Sequence, residues 1–305
     1  MRIVSAKEIQ AVMQLADLAT PLENAFKAYS KGDTSGSLGF LRPNGGEVHI
    51  KSGFIQGSKI FAVKVSTGFT ANATQGLAIW DGLVMAFDAN TGVPVALIQD
   101  GGLLTDWRTA MAGAVATRAL AKKSVQTIGM VGTGIQGYYQ PLAHAAILEF
   151  DELLIWGRNP EKTKTLLEKL EPQLEHKKIR VCSKLEELVQ QSEVLITATS
   201  SFEPLIKNSW VQAGTHITAI GADDEHKREL ELSLIERADL IVVDSRTANQ
   251  QYGDFQGLSL KMLELGEILE QPELGRSSDS QVTIAKLIGL GVQDLAAVET
   301  LLEKI

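Results

Sequence analysis

The sequence predicts two modules of different class, an α+β module with an antiparallel sheet and then a doubly wound parallel α/β module. Three observations carry that reading. Residues 47–100 hold short β-rich runs separated by turn residues. From residue 125, apolar strand candidates alternate with helical patterns over roughly 120 residues. A G-x-G-x-x-G run at Gly132, Gly134 and Gly137 follows the first of those strands and opens a helical stretch. A chain of 305 residues suits two domains at about 150 residues each. The predicted bounds are 1–122 and 123–282.

In the first module, apolar residues recur at helical spacing from Ile9, Val12 and Met13 to Leu22, Ala25 and Phe26. They predict two short helices split near Thr20-Pro21, with Pro21 early in the second. Runs at 48–50, 59–65, 82–87 and 93–98 predict an antiparallel meander, with its clearest turn at Asp88-Ala89-Asn90-Thr91-Gly92. Residues 105–122 turn helical, rich in Ala and Leu, with Asp106 in the first turn. In the second module the strand candidates are 126–131, 152–156, 179–181, 193–198, 216–221 and 239–243. Helices at 160–170 and 185–191 lie between them. Residues 258–305 read as helical and do not declare which module they join.

Composition excludes several classes. Lys plus Arg is 29 and Asp plus Glu 37, a net charge of −8, which lacks the cationic field of a general nucleic-acid binder. Hydrophobic residues make up 44%, enough for a core and too many for a disordered chain. The single Cys182 forms no intrachain disulfide and lacks an activating motif. Histidines 49, 144, 176, 216 and 226 show no metal-ligand spacing, so no metal site is expected. The N-terminus has no signal-peptide core and no apolar run spans a membrane. The expectation is a cytoplasmic protein without a membrane or nucleic-acid partner.

The glycine run has a physical role for each position. Gly132 allows the tight turn, Gly134 lets the backbone approach a pyrophosphate, and Gly137 lets helix pack on strand. With Thr133, Ile135 and Gln136 they form a Rossmann-type cradle at a helix N-terminus. The next strand ends Trp156-Gly157-Arg158-Asn159, with an arginine where NAD sites usually place a carboxylate. A guanidinium suits a 2′-phosphate, so NADP(H) is favoured and NAD(H) stays compatible. Arg158 and Asn159 join the predicted cofactor contacts. Thr199 and Ser200, after the fourth strand, are placed against the nicotinamide ribose, with a plain loop as the competing reading.

Three further segments add to this loop. They are Phe61-Ala62-Val63-Lys64-Val65-Ser66-Thr67-Gly68-Phe69, the run from Asp100 to Ala114 with its Leu-Thr-x-x-Arg-Thr-Ala block, and Ile220-Gly221-Ala222-Asp223. Their order and spacing resemble the ornithine cyclodeaminase/mu-crystallin family over nearly the whole chain. That resemblance implies hydride exchange between a nicotinamide and the α-carbon of an amino or imino acid. It implies a homodimer paired through the sheet of the non-nucleotide domain, and a return of residues 283–305 to that substrate-binding and dimerisation domain.

By the same resemblance Lys64 binds the substrate carboxylate or polarises the reacting centre, and Arg108 grips the carboxylate. Asp223 exchanges a proton with the substrate nitrogen, with Asp224 as the alternative. Lys64 as a solvent-facing edge lysine, and Arg108 paired with Asp106 or Asp100, are the plain alternatives. The family's Pro-x-Arg segment has no clear counterpart; Arg42 is near and Lys51 is a candidate substitute. The stretch Ala78-Ile79-Trp80 and the absence of an aspartate at the second strand's tip count against cyclodeamination. The expected reaction is NAD(P)H-dependent reduction of a small α-imino acid such as Δ1-pyrroline-2-carboxylate. The alternatives are ornithine cyclodeaminase, an alanine-type amino-acid dehydrogenase, and a non-catalytic NADP-dependent binding protein.

Overall fold

The computed structural model describes residues 1–305 and resolves into two units, Met1–Arg108 with Leu290–Ile305, and Thr109–Gly289. The boundary falls inside a helix rather than after residue 122, so residues 109–122 belong to the second unit. The return begins at Leu290 rather than at residue 283.

The first unit opens with β1 (Arg2–Ser5), α1 (Ala6–Val12) and α2 (Ala19–Lys31). Ser5 caps α1 in a reciprocal bond with Glu8. The two helices part before residue 19, slightly ahead of the expected break, and Pro21 takes the expected early place, in the first turn of α2, where its missing N–H costs nothing. Five strands follow: β2 (Thr34–Leu41), β3 (Glu47–Ile55), β4 (Ile60–Gly68), β5 (Trp80–Asp88) and β6 (Pro94–Gln99). The sheet order is β1-β6-β5-β4-β3-β2, antiparallel except for β1 beside β6. Asp88 Oδ1 accepts the N–H groups of Asn90 and Thr91 and closes the predicted turn.

Strand β2 was not expected. Its Gly- and Ser-rich sequence has weak strand preference; as the edge strand it pairs only with β3, and α2 and α10 pack on it. The helix α3 (Leu103–Leu120) then carries the chain into the second unit.

The second unit alternates β7 (Thr127–Val131), α4 (Ile135–Ile147), β8 (Glu152–Trp156), α5 (Pro160–Leu170), β9 (Lys178–Val181), α6 (Leu185–Gln191), β10 (Val194–Thr197) and β11 (His216–Ala219). It continues with α7 (Leu232–Arg237), β12 (Leu240–Val243), α8 (Arg246–Gln251), β13 (Leu263–Glu264), α9 (Leu265–Glu270) and β14 (Thr283–Lys286). All eight strands are parallel, in the order β13-β12-β14-β11-β10-β7-β8-β9. Apolar cores cover both faces: Ile128, Met130 and Leu153 face one, and Val131, Leu154 and Leu195 the other.

Residues 258–305 are therefore not simply helical. Strand β14 inserts between β11 and β12, buried throughout, and only α10 (Gly291–Lys304) returns to the first unit. A four-residue run, Thr283-Ile284-Ala285-Lys286, with a charged residue at its end, carries no period that separates strand from helix. In the first unit α10 packs on β3, β4 and α2, burying Leu295, Val298 and Leu301.

Candidate functional site

The first unit supplies a buried cluster of cations. Lys51 lies directly opposite Lys64 across the β3–β4 ladder. With a strand period of two, Lys51 shares its face with His49 and Gly53, and Lys64 with Ala62, and all of these are buried. Lys64 is thus no solvent-facing edge lysine. Arg108 comes from the second turn of α3.

Helix α10 reaches these cations because Gly53 and Gly291 meet without side chains. A Cβ on Gly53 would collide with the Gly291 carbonyl, and one on Gly291 with the Ser52 carbonyl. Asp294 Oδ1 then accepts from Lys64 Nζ at 2.9 Å and from Arg108 Nε at 2.9 Å. Gln293 Oε1 accepts from Arg108 Nη1 at 3.0 Å and from the Leu290 N–H at 2.9 Å. Arg108 bonds neither Asp106 nor Asp100; Asp100 instead takes the N–H groups of Gly102 and Leu104.

Burial sets the electrostatics. It pushes the Lys64 ammonium down to about 7, with Arg108 and Lys51 adding to the shift and Asp294 opposing it. Burial raises the Asp294 carboxyl, but Arg108, Lys64 and Lys51 outweigh it and hold the group below the usual carboxylate range. Lys64 and Arg108 outnumber the single carboxylate they share. Arg108 Nη2 and two of the three Lys64 N–H groups have no protein partner. A ligand carboxylate answers both the charge and the open donors.

The second unit supplies a cradle at the point where strand order reverses, between β7 and β10. Gly132 has φ +121°, and a Cβ there would meet the Ala198 carbonyl. A Cβ on Gly137 would meet the Gly132 carbonyl at 2.5 Å, so this glycine lets α4 pack on the loop. Gly134, the N-cap of α4, has no atom within 4 Å of such a Cβ. An open backbone at a helix N-terminus fits a pyrophosphate. Thr133 and Gln136 are half-buried beside it, and Ile135 is exposed.

Arg158 stands exposed just past β8 with no protein partner. Asn159 plays a structural part, since its Oδ1 caps α5 by accepting the N–H groups of Glu161 and Lys162. Thr199 is fixed by the buried Glu229, which accepts its N–H at 2.7 Å and its hydroxyl at 2.8 Å. Glu229 also accepts the Thr197 hydroxyl and the Gly221 N–H, tying the ends of β10 and β11 together. Burial and then Asp254 raise its carboxyl. Ser200 is exposed.

Asp223 is half-buried and ion-paired with Lys227 at 2.8 Å. Asp224 is buried and accepts the N–H groups of His226 and Lys227, a turn cap rather than a helix cap. Arg42 is exposed and pairs with Glu47. Buried His144 and His216 bond Thr117, Thr218 and Thr283 within the second unit's core. No three His, Cys, Asp or Glu side chains are grouped to hold a metal ion, and no helix is long and apolar enough to cross a membrane.

Sequence reasoning missed Gln293, Asp294, Lys227 and Glu229. The first pair had a signal: Gln-Asp interrupts an otherwise apolar run, Val292 to Val298, with no polar helix face to hold it.

A family model described as the ornithine cyclodeaminase/mu-crystallin family matches residues 1–305. An uncharacterized cyclodeaminase of Sinorhizobium fredii is 34% identical, over 97% of this chain and 93% of its own. The Δ1-pyrroline-2-carboxylate reductase of Thermococcus litoralis, solved with NADH and L-proline, superposes with a TM-score of 0.93 at 25% identity, covering 100% of this chain and 97% of that one. An archaeal alanine dehydrogenase dimer with bound NAD gives 0.91 at 26% identity, covering 100% and 95%.

Proposed function

Since the chain belongs to the ornithine cyclodeaminase/mu-crystallin family, we propose that it reduces a small α-imino acid with a reduced nicotinamide dinucleotide, Δ1-pyrroline-2-carboxylate to L-proline being the leading case. Oxidoreduction at a C=N or CH–NH bond is the common ground; the particular imino acid is the finer reading. The observation that carries it is the buried pair Lys64–Arg108, which keeps donors open for a carboxylate beside Asp294. The Thermococcus neighbour's L-proline supports the same substrate class.

A bound nicotinamide dinucleotide supplies the hydride. The chain's own residues do the rest. Arg108 and Lys64 hold the carboxylate and fix the α-carbon, with Lys51 adding positive charge from β3. Asp223 passes to the substrate nitrogen, as its carbon accepts hydride, a proton drawn from the Lys227 ammonium paired with it. The backbone from Gly132 to Gly137 would hold the pyrophosphate, and Thr199 and Ser200 are the residues proposed to meet the nicotinamide ribose.

The two solved neighbours carry NADH and NAD. In this chain the exposed Arg158, with no carboxylate at the tip of β8, supports a preference for NADPH. Asn159 contributes there through the cap it gives α5. The Sinorhizobium relative supports a second reading, cyclodeamination, which releases ammonia without net change in NADH.

Self-association belongs to this proposal. The sheet face opposite Lys64 carries Phe61, Val63, Val65, Leu83, Met85 and Phe87, none fully buried. The neighbour's dimer supports reading that face as a homodimer surface.

Steady-state kinetics of Arg108→Ala test the carboxylate role. KM for the imino acid should rise by about 100-fold, while the dissociation constant of NADPH stays within about twofold. An unchanged KM refutes it.

A further inference from the structure

We propose that Asp294 and Gln293, neighbours in the first turns of α10, are positioning residues that decide which donors of Lys64 and Arg108 face the substrate. The proposal rests on the reading of those two cations as a carboxylate cradle and adds what fixes its shape. Asp294 Oδ1 occupies Arg108 Nε and one N–H of Lys64, and Gln293 Oε1 occupies Arg108 Nη1. What remains open is Arg108 Nη2 and two N–H groups of Lys64. A guanidinium anchored at two of its three nitrogens has little freedom left, so gripping a carboxylate costs it little ordering.

Two further observations set the pair apart from ordinary core polar residues. Gln293 Oε1 accepts from two donors, which fixes the amide's orientation. Gln293 Nε2 and Asp294 Oδ2 are then both buried without a partner. Buried polar atoms left open on two successive residues call for partners beyond the protein groups around them. Second, the pair is delivered by the Gly53–Gly291 contact, which brings the start of α10 against β3.

The charged groups facing Lys64 are Lys51 from β3, Arg108 from α3 and Asp294 from α10. Of these only Asp294 favours the ammonium. Removing its charge therefore lowers the pH at which Lys64 loses its proton.

The test is Asp294→Asn beside Arg108→Ala, read in two ways. Calorimetry measures binding of pyrrole-2-carboxylate, a planar carboxylate probe, and kinetics measure the pH profile with Δ1-pyrroline-2-carboxylate. We expect Asp294→Asn to weaken the probe by about 10-fold or more and leave NADPH binding unchanged. The alkaline limb of kcat/KM should move to lower pH by about one unit. A neutral substitution in a merely structural residue would not move that limb. Wild-type binding and an unshifted limb, with Arg108→Ala still defective, overturn the positioning role. An Arg108→Ala variant that binds the probe as wild type does overturns the cradle itself. Should Asp294→Asn fail to fold, Gln293→Met decides: probe binding about 5-fold weaker or more supports the role, and unchanged binding overturns it.

Discussion

At the scale of single residues, the chemistry turns on which side chains are committed and which are open. Arg108 and Lys64 are partly committed, to Asp294 and Gln293, and partly open. Arg158 is wholly open, and that makes its role testable. Arg158→Ala should weaken NADPH by about 10-fold or more while changing NADH by less than about twofold. Fluorescence titration with each dinucleotide reads this directly, and equal losses would refute the 2′-phosphate contact.

Lys64 and Arg108 were legible because each sits in a block whose order matches a known family. Asp294 was not, because its partners lie 230 and 186 positions away and only the folded sheet brings them together. Asn159 was read as a cofactor contact and not as a helix cap, because capping and ligand contact draw on the same residue type. Glu229 carried no signal in the polar stretch after Asp223, yet four bonds to two strand ends make it a buried tie.

At the scale of elements, strong local patterns translated into structure. The bounds of α5, α6 and β8 follow the sequence periodicity to the residue. Elements with weak local signals did not. Strand β2 dilutes its strand-forming Thr34 and Phe40 with Gly and Ser, and β14 is too short to show a period. Both exist because neighbouring strands supply their hydrogen bonds, a tertiary term that no local window contains.

The contact between β3 and α10 depends on two missing side chains. Gly53→Ala forces backbone apart at Gly291 and should cost about 1–3 kcal/mol. It should also displace Gln293 and Asp294 from the cations. Thermal unfolding should show a lower Tm, together with a raised substrate KM and unchanged dinucleotide binding. A variant with wild-type Tm and KM would show that the contact is looser than the glycines imply.

At the scale of the whole molecule, a cation cluster built on a mixed sheet and a glycine cradle built on a parallel sheet are carried by one chain. The division between the units runs through α3, with Arg108 as the last residue of the first unit. That is why a boundary placed at the helix's end missed it: the helix is continuous in sequence and in hydrogen bonding, and only the packing around it changes. The half-buried apolar sheet face belongs to this scale as well. Sedimentation should give a dimer, and Val63→Glu with Met85→Lys, opposite one another in register, should shift it toward monomer. A monomeric parent protein would contradict that assignment.

The most direct measurement of the central claim follows the absorbance of reduced nicotinamide with Δ1-pyrroline-2-carboxylate, using NADPH and NADH in parallel. Oxidation that depends on the imino acid, is faster with NADPH, and yields L-proline is the predicted result. No oxidation with either dinucleotide, alongside proline and ammonia formed from ornithine, would contradict it and assign the chain to cyclodeamination.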